Sequence, residues 1–428
     1  MQNLTKQKYF YYIALMLMAS TFLPLVFNNL PKGFRSHHLW TIIWGVSLLV
    51  SHPRIFFSKQ MIYIYSYGLL LLIASQTIWR NMDYWNAKVL FNEFYQIAIG
   101  VSVVSYFFQS KDYLGLAKIT KWSLIFLFIT AIMTLVSAAI DPLYSRNMTS
   151  ATLITDIYER ETILSFKRFG GGGYSTAGAF MCLFPICIYY YKNKKIGNIS
   201  QKQLIVFFGI IFLGLLGMQI FGNILIAVLG IIIALMGMKK MKQTIFIIGL
   251  FLTIIIVTPK KVYINSFLSI SGLFKPNSDI GFKLNDMATF IETGASIDNT
   301  TAAAGRAERY PMLMETFVKS PLLGCYFLSD EYGNGYNAEG GHLHWMNKLT
   351  ITGIIGMIIF LLIPYYFIKN SLRYFNSSYK FYYILASFSI LCYGLIKVIA
   401  GRETWYAFLI LLPGLYYLPL LMKPKNAL

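Results

Sequence analysis

Long apolar runs recur along the whole chain and constrain its fold more than any other feature. About twelve of them approach the 17–25 residues that a helix needs to cross a bilayer. Because 13% of the residues are charged, against roughly 25% in soluble domains, a water-soluble core could not bury so much apolar surface. The runs lie at residues 9–30, 38–56, 61–79, 87–109, 119–140, 174–191, 203–219, 221–238, 243–258, 345–368, 380–400 and 404–422.

Two of these assignments depend on local detail. The seventh and eighth runs meet at Gln219-Ile220-Phe221-Gly222-Asn223, and we separate them because about 36 residues are too many for one crossing. The first run follows Lys6 and Lys8 and lacks a clear small-x-small cleavage site. We therefore expect an uncleaved first helix rather than a signal peptide.

The loops between the runs carry a charge pattern that orients the chain. With the N-terminus in the cytoplasm, every inside loop is short and basic, as the positive-inside rule requires. Almost all acidic residues then fall outside, and Asp112 is the clear exception. The net charge of +20 is thus a topology signal and predicts no nucleic-acid partner. The inside loops hold Lys6, Lys8, Arg54, Lys59, Lys111, Lys118, Lys121, Lys192, Lys194, Lys195, Lys202, Lys239, Lys240, Lys242, Lys369, Arg373, Lys380, Lys423 and Lys425.

Two outside segments are much longer than ordinary connections. They cover residues 141–173 and 259–341, and loops of this length are usually functional or disordered. The second contains one helical pattern, at 307–319. The sequence predicts an all-α polytopic inner-membrane protein with both termini in the cytoplasm. It divides into nine helices at 1–258, a large periplasmic loop at 259–341 and three helices at 342–428.

Several kinds of chemistry lack a sequence signal. The cysteines show neither paired nor metal-ligand spacing, so we predict no disulfide, no metal site and no cofactor. The chain has no Walker-type phosphate loop, which leaves ATP-driven transport unsupported. It also has no Asp-x-Asp pair of the kind that suggests a metal-dependent glycosyltransferase. The cysteines are Cys182, Cys187, Cys325 and Cys392.

A run of four glycines, residues 170–173, leads directly into the sixth apolar run. Glycines let backbone N–H groups approach an anion closely, and a helix N-terminus adds a favourable dipole. Arg168, beside the run, can hold a phosphate through its forked donors. We therefore predict an anion site containing Arg168, Gly171, Gly172 and Tyr174. The alternative is a flexible hinge that enters a helix.

Two arginines begin the helical pattern of the large loop. Arg306 and Arg309 are three residues apart and share a helix face. Positive charge at a helix start is disfavoured by the dipole, so the pair indicates an anionic partner. The alternative is a solvated charged face with Glu308 and Glu315 as local partners.

Two histidines open the tenth apolar run. A histidine at the membrane surface can act as a general base near neutral pH. Because His342 and His344 are two residues apart, they point to different sides of a helix, and at most one is expected to face a site. The alternative is interfacial anchoring together with Trp345. Two histidines at this spacing on a helix do not favour a metal site.

Five ionisable residues lie at the predicted outer ends of helices. Placing such residues in lipid is energetically unfavourable, and they usually mark a functional cavity. All five lie in the outer half of the membrane under the predicted topology, which supports a polar cavity that opens outward. Structural ion pairing is the alternative. They are Glu93, Lys348, Lys397, Arg402 and Glu403.

Phosphate-binding arginines and a histidine at the outer face of a bilayer suit a lipid-linked substrate. Three stretches in this order and topology make the whole chain resemble the bacterial O-antigen polymerase and O-antigen ligase (Wzy/WaaL) superfamily. The first stretch runs from Phe169 to Ala179. The second joins Gly305-Arg306 to Lys319-Ser320-Pro321-Leu322-Leu323-Gly324, and the third runs from His342 to Gly356.

The chain departs from the family pattern at two places. The family usually has Asn after the motif histidine, whereas Leu343 follows His342 and Trp345 follows His344. Distance to Gly353 favours His342, and the His-x-His pattern favours His344; of the two we prefer His342. Many ligases carry an arginine between the seventh and eighth helices. Gln219-Ile220-Phe221-Gly222 stands there in this chain, which weakens the ligase interpretation more than the polymerase interpretation.

The resemblance implies a GT-C-like enzyme that transfers a glycan from undecaprenyl diphosphate without a metal ion at the periplasmic face. Arg168, Arg306 and Arg309 would hold the diphosphate, and His342 or His344 would take the proton of the attacking hydroxyl. A polymerase acting on lipid-linked repeat units beside a chain-length regulator is the first expectation. A ligase that moves finished glycan to lipid A–core or protein, and a flippase of lipid-linked oligosaccharide, are the alternatives.

Overall fold

The computed structural model describes residues 2–81, 84–141, 144–145, 148, 157–193, 201–237, 253, 257–273, 279–294, 303–324, 343–397, 399 and 401–422. In this part of the chain 88% of the residues are helical and none forms a strand, which confirms the all-α prediction. The ninth predicted run, 243–258, lies outside the described residues except at 253, 257 and 258.

The predicted runs 9–30 and 38–56 are each divided in the structure, because a proline, Pro24 or Pro53, begins a new short helix within each. The first half of the chain is built from both short and long helices. They are α1 (Gln2–Phe22), α2 (Pro24–Phe27), α3 (Lys32–Arg35), α4 (His37–Ser51), α5 (Pro53–Phe56), α6 (Lys59–Asn81), α7 (Tyr84–Gln109), α8 (Tyr113–Ile140), α9 (Ile157–Phe169), α10 (Tyr174–Asn193), α11 (Gln201–Gly217) and α12 (Phe221–Met236).

The second half begins with the helices of the large loop and ends with those of the last predicted runs. They are α13 (Lys260–Ser271), α14 (Asp279–Thr293), α15 (Ala303–Lys319), α16 (His344–Ser371), α17 (Ser377–Ile396), α18 (Gly401–Tyr406) and α19 (Leu412–Leu415). A π-helical turn, Ala407–Leu411, lies between α18 and α19.

Helix α10 is the centre of the bundle and packs against α11, α12, α17 and α18. Its first turns are small and buried, with Ala177, Gly178 and Ala179 in succession. A Cβ added to Gly178 would lie 2.3 Å from Thr404 Oγ1. Helix α18 therefore approaches α10 more closely than a side chain at residue 178 would allow. Small residues at helix contacts permit this close packing of apolar helices.

Three helical stretches are long and apolar enough to cross a membrane: Tyr113–Ile140, Glu161–Asn193 and His344–Tyr374. Two shorter apolar helices, Lys202–Gly217 and Phe221–Met236, have 16 residues each. These findings, made on the described residues, are compatible with a membrane protein. The full set of twelve crossings stays a prediction.

The predicted break between the seventh and eighth runs is confirmed. Helix α11 ends at Gly217 and α12 begins at Phe221. Gln219, between them, has a positive φ of 53°, which a continuing helix does not allow. Ser145 holds the turn by donating a hydrogen bond to the carbonyl oxygen of Met218 at 2.8 Å.

Two further sequence-based expectations need correction. The run 404–422 was expected to be one helix, but it is divided into α18, the π-helical turn, α19 and a final 3-10 turn, Leu418–Met422. Pro413, within α19, lacks the N–H group that continuous α-helical bonding requires. The large loop was expected to hold one helix, and its described part contains three, α13 to α15. Short amphipathic helices of this kind carry weak periodicity signals.

The large loop is joined to α16 where that helix is kinked at Gly353 (φ 62°, ψ −171°). The kink frees two backbone donors, and the segment after α15 satisfies them. Ile354 N donates to Pro321 O at 2.8 Å, and Ile355 N donates to Leu322 O at 3.3 Å. The second and third family-like stretches are therefore in direct contact.

Glycine is required at this junction. Gly324 has a φ of 89°, and an added Cβ would lie 2.0 Å from the carbonyl oxygen of Ile351. We expect Gly324→Ala to destabilise the protein by at least about 2 kcal/mol, through backbone strain and overlap. Thermal unfolding of the purified protein measures the change. Gly209→Ala is the control, since its Cβ meets nothing within 4 Å in α11 and should stabilise slightly. Equal unfolding temperatures for the two variants would contradict the prediction.

Candidate active site

Three of the predicted ionisable residues form one buried cluster between α7 and α16. Lys348 Nζ pairs with Glu93 Oε2, and His344 Nε2 lies 3.4 Å from Glu93 Oε1. The side chains of His344 and Lys348 are each 4% exposed and that of Glu93 is 14% exposed. His344 and Lys348 are four residues apart, so one face of α16 presents both to the same carboxylate. We name these three residues the Glu93 cluster.

Aromatic rings surround the Glu93 cluster. Lys348 Nζ lies 5.0 Å from the centre of the Phe360 ring and 5.7 Å from that of Tyr67. The His344 ring lies 6.4 Å from the ring of Trp405, which α18 contributes. In such apolar surroundings an isolated charge would be very unfavourable, so the ion pair depends on both of its partners.

Three polar atoms of this region have unused hydrogen-bonding capacity. Within the described part of the chain, Glu93 Oε1, His344 Nε2 and Trp405 Nε1 have no hydrogen-bond partner. The 3.4 Å contact between Glu93 and His344 brings the two groups together without hydrogen-bond alignment. Buried polar atoms in folded proteins are nearly always satisfied, so these three form a set of donors and acceptors suited to a hydroxyl group.

A second polar group lies where α10 begins. Lys397 Nζ stands 3.6 Å from the centre of the Tyr174 ring, a cation–π contact. Thr404 Oγ1 donates to the carbonyl oxygen of Ser175 at 2.8 Å, which ties α18 to the start of α10. Arg402, predicted as a substrate contact, is half-buried in the first turn of α18. Helix α18 thus connects this group to Trp405 and the Glu93 cluster.

The middle of α15 is held next to this second group. Tyr310 Oη donates to the carbonyl oxygen of Leu395 at 2.6 Å, two residues before Lys397. Farther along α15, the carbonyl oxygen of Leu313 accepts a hydrogen bond from Thr350 Oγ1 at 3.3 Å. Arg306 and Arg309 belong to the first turns of α15, and their side chains lie outside the described residues, as does all of His342.

The glycine run is a buried turn whose backbone is held by the protein. Gly171 N donates to the carbonyl oxygen of Phe166 at 2.9 Å, and Gly172 N donates to Thr134 Oγ1 at 2.9 Å. Tyr144 Oη donates to the carbonyl oxygen of Gly172 at 2.8 Å. The N–H groups of Gly171 and Gly172 are therefore already engaged, and the anion site predicted for the run stays a prediction.

Arg168 is placed apart from the Glu93 cluster. Its guanidinium is 60% exposed and lies 3.2 Å from Glu161 Oε2, two turns earlier in α9. Among the residues predicted from sequence, the structure therefore joins Glu93, His344 and Lys348, and it leaves Arg168 in a local ion pair. Sequence reasoning missed Trp405, Tyr67 and Tyr144. In a chain with 17% aromatic residues no local signal distinguishes these rings from ordinary bundle packing.

The hydrogen bond from Tyr144 predicts a stability effect. Burial raises the pKa of the Tyr144 phenol, so the hydroxyl stays protonated and remains a donor. Tyr144→Phe leaves the Gly172 carbonyl without this bond and is expected to destabilise the protein by about 1–3 kcal/mol. Thermal unfolding tests this, with Tyr12→Phe, a 60% exposed site, as the control. An unchanged unfolding temperature in Tyr144→Phe would show that the bond contributes little.

Comparison with known proteins gives no assignment for this chain. No protein-family model matches it. A search of curated proteins finds no significantly similar sequence. Within the described residues, no three His, Cys, Asp or Glu side chains are grouped as a metal site would need.

Proposed function

We propose that this chain is a membrane glycosyltransferase that polymerises glycan repeat units carried on undecaprenyl diphosphate. In this proposal about twelve helices cross the inner membrane, and the Glu93 cluster faces the periplasm together with the large loop. The proposal rests on the family resemblance of three sequence stretches. The observation that carries it is the buried Glu93 cluster at the start of α16, where a histidine and a carboxylate approach each other.

The proposed base is His344. A carboxylate beside an imidazole fixes its orientation and stabilises the imidazolium that forms when it accepts a proton. Glu93 can do this through Oε1, while Lys348 holds its other oxygen. With Nε2 directed at Glu93, Nδ1 is the nitrogen left to accept the proton of the sugar hydroxyl. His344 is preferred to His342 because of this carboxylate.

The proposed reaction is a single displacement at the anomeric carbon. The acceptor hydroxyl oxygen bonds to that carbon, the bond from the carbon to the diphosphate oxygen breaks, and the hydroxyl proton passes to His344. Undecaprenyl diphosphate leaves, and the anomeric configuration inverts. The positive charges of Arg306, Arg309, Lys397 and Arg402 are proposed to stabilise the charge that develops on the diphosphate.

Access to the base requires motion in this proposal. His344 is 4% exposed, so a hydroxyl can reach its ring only when neighbouring side chains move aside. Trp405 Nε1 would then donate a hydrogen bond to the oxygen of that hydroxyl, while its proton points at His344 Nδ1.

The function is tested by deleting the gene and examining surface glycan on a gel together with the lipid-linked glycan pool. The expected result is loss of the long glycan ladder, with single repeat units remaining on the acceptor. Long glycan that accumulates on the lipid carrier above a bare acceptor would instead identify a ligase. An unchanged ladder with unchanged carrier-linked glycan would refute both activities.

A further inference from the structure

A cavity of about 590 Å³ lies at the other end of the helices that carry the Glu93 cluster. It is formed by the start of α6, the end of α7 and the end of α16, and its lining includes Gln109 and Ser371. Gln109 follows Glu93 by 16 residues in α7, which separates the cavity from the cluster by roughly 24 Å along the helix axis. The cavity is therefore distinct from the candidate active site.

Positive charge dominates the lining of the cavity. Lys59, Lys369 and Arg373 all belong to its lining, and none of its fifteen lining residues is acidic. Among the described residues, no carboxylate forms an ion pair with any of the three. Lys59 is also the first residue of α6, where the helix dipole already places positive potential. Charge and dipole together favour a bound anion at this position.

Buried donors next to the cations are unused. Gln60 lines the cavity and is 9% exposed, and its Nε2 has no hydrogen-bond partner within the described chain. The same holds for the hydroxyl of Ser58, which also belongs to the lining. A buried donor without a partner is unfavourable, and an anionic oxygen would satisfy these two groups.

The cavity walls are stacked aromatic pairs. The rings of Tyr63 and Tyr366 are 4.9 Å apart and nearly parallel, and those of Phe108 and Tyr374 are 4.2 Å apart. Such pairs hold the walls in place and offer an apolar surface beside the cations. A ligand with a charged head and an apolar portion fits this combination better than a small hydrated ion does.

We propose that this cavity binds a phosphate-bearing anion, and that its source is the headgroup of an anionic phospholipid. The three cations and Gln60 Nε2 contact the phosphate, and the aromatic walls contact the apolar part. Lys59, Lys369 and Arg373 belong to loops assigned to the cytoplasmic side by their charge, where anionic lipids attract basic residues. The inference does not depend on the proposed enzymatic function.

The test is thermal unfolding of the full-length protein in a non-ionic detergent, titrated with short-chain phosphatidylglycerol. Short-chain phosphatidylcholine and inorganic phosphate are titrated in parallel. The cavity variant combines Lys59→Gln with Arg373→Gln. The charge-matched control combines Lys118→Gln with Lys121→Gln, two exposed lysines of α8 outside the cavity. Gln60→Met is a second cavity variant that changes no charge.

Phosphatidylglycerol is expected to raise the unfolding temperature of the wild type and of the control, whereas phosphatidylcholine is not. The cavity variant should bind about 30-fold more weakly, since each basic residue contributes roughly fivefold near anionic lipid. Gln60→Met should bind about tenfold more weakly, since it loses a hydrogen bond to a charged group.

The parallel titrations distinguish a lipid headgroup from a soluble phosphate as the ligand, and they also define the results that would overturn the proposal. Inorganic phosphate that reproduces the shift, again lost in the cavity variant, would support the phosphate site with a soluble ligand as its source. Equal titration midpoints in the wild type and both cavity variants would overturn the proposal. So would the absence of any shift with phosphatidylglycerol, or an equal shift with phosphatidylcholine.

Discussion

Lys348→Met is expected to destabilise the protein by about 3–5 kcal/mol, because it leaves the Glu93 carboxylate charged and buried without its partner. The methionine fills nearly the same space beside Phe360, so the effect reports the lost charge rather than a cavity. Glu93 and Lys348 are both shielded, at 14% and 4% exposure, so solvent screening does little to reduce the effect. Thermal unfolding of the detergent-purified protein measures it.

The double variant separates pairing from packing. Combining Lys348→Met with Glu93→Gln removes both charges, and it should recover most of the stability lost by Lys348→Met alone. Lys121→Met, at an exposed site in α8, serves as the control and should change stability by less than about 0.5 kcal/mol. If the double variant is no more stable than Lys348→Met, the ion pair does not explain the effect.

His344→Gln is expected to lower the rate of glycan chain growth by a factor of about 10²–10⁴, the usual contribution of a positioned general base. Glutamine keeps a polar side chain of similar reach but cannot accept a proton near neutral pH. The measurement is the length and amount of surface glycan in a deletion strain that expresses the variant. Variant protein in the membrane fraction is quantified so that loss of folding is not mistaken for loss of chemistry.

His342→Gln is the matched comparison for this prediction. The two histidines are two residues apart, so the same substitution tests both under equal conditions. Because the proposal assigns the base to the histidine beside Glu93, His342→Gln should retain most chain growth. A normal glycan ladder from His344→Gln, with loss of the ladder from His342→Gln, would move the base to His342.

Helix positions could be predicted because apolar length alone specifies them. Helices α6, α7 and α10 begin and end within a few residues of the predicted runs, whereas α8 begins six residues before its run. The break at Gln219 also followed from length, since one helix could not hold both runs. The division of 404–422 was missed because Pro413 and the π-helical turn interrupt a segment whose hydropathy is continuous.

The sequence singled out the three residues of the Glu93 cluster but not their contacts. Glu93 and Lys348 were chosen because ionisable groups are unfavourable in apolar runs, and His344 was one of two candidate general bases. Their pairing joins residues 255 positions apart, and hydropathy gives neither the rotation of α7 nor that of α16. Arg168 was chosen because it lies beside the glycine run, but in the structure it pairs with Glu161. The two residues meet because α9 forms within a segment that was expected to be a loop.

The activity of the purified protein tests the proposal most directly. The full-length chain is reconstituted in lipid nanodiscs and given undecaprenyl-diphosphate-linked repeat units, and the lipid-linked products are identified by mass spectrometry. We predict carriers with two or more repeat units and a matching release of free undecaprenyl diphosphate, strongly reduced in His344→Gln. Repeat units that remain single in the presence of folded wild-type protein would contradict polymerisation at the Glu93 cluster.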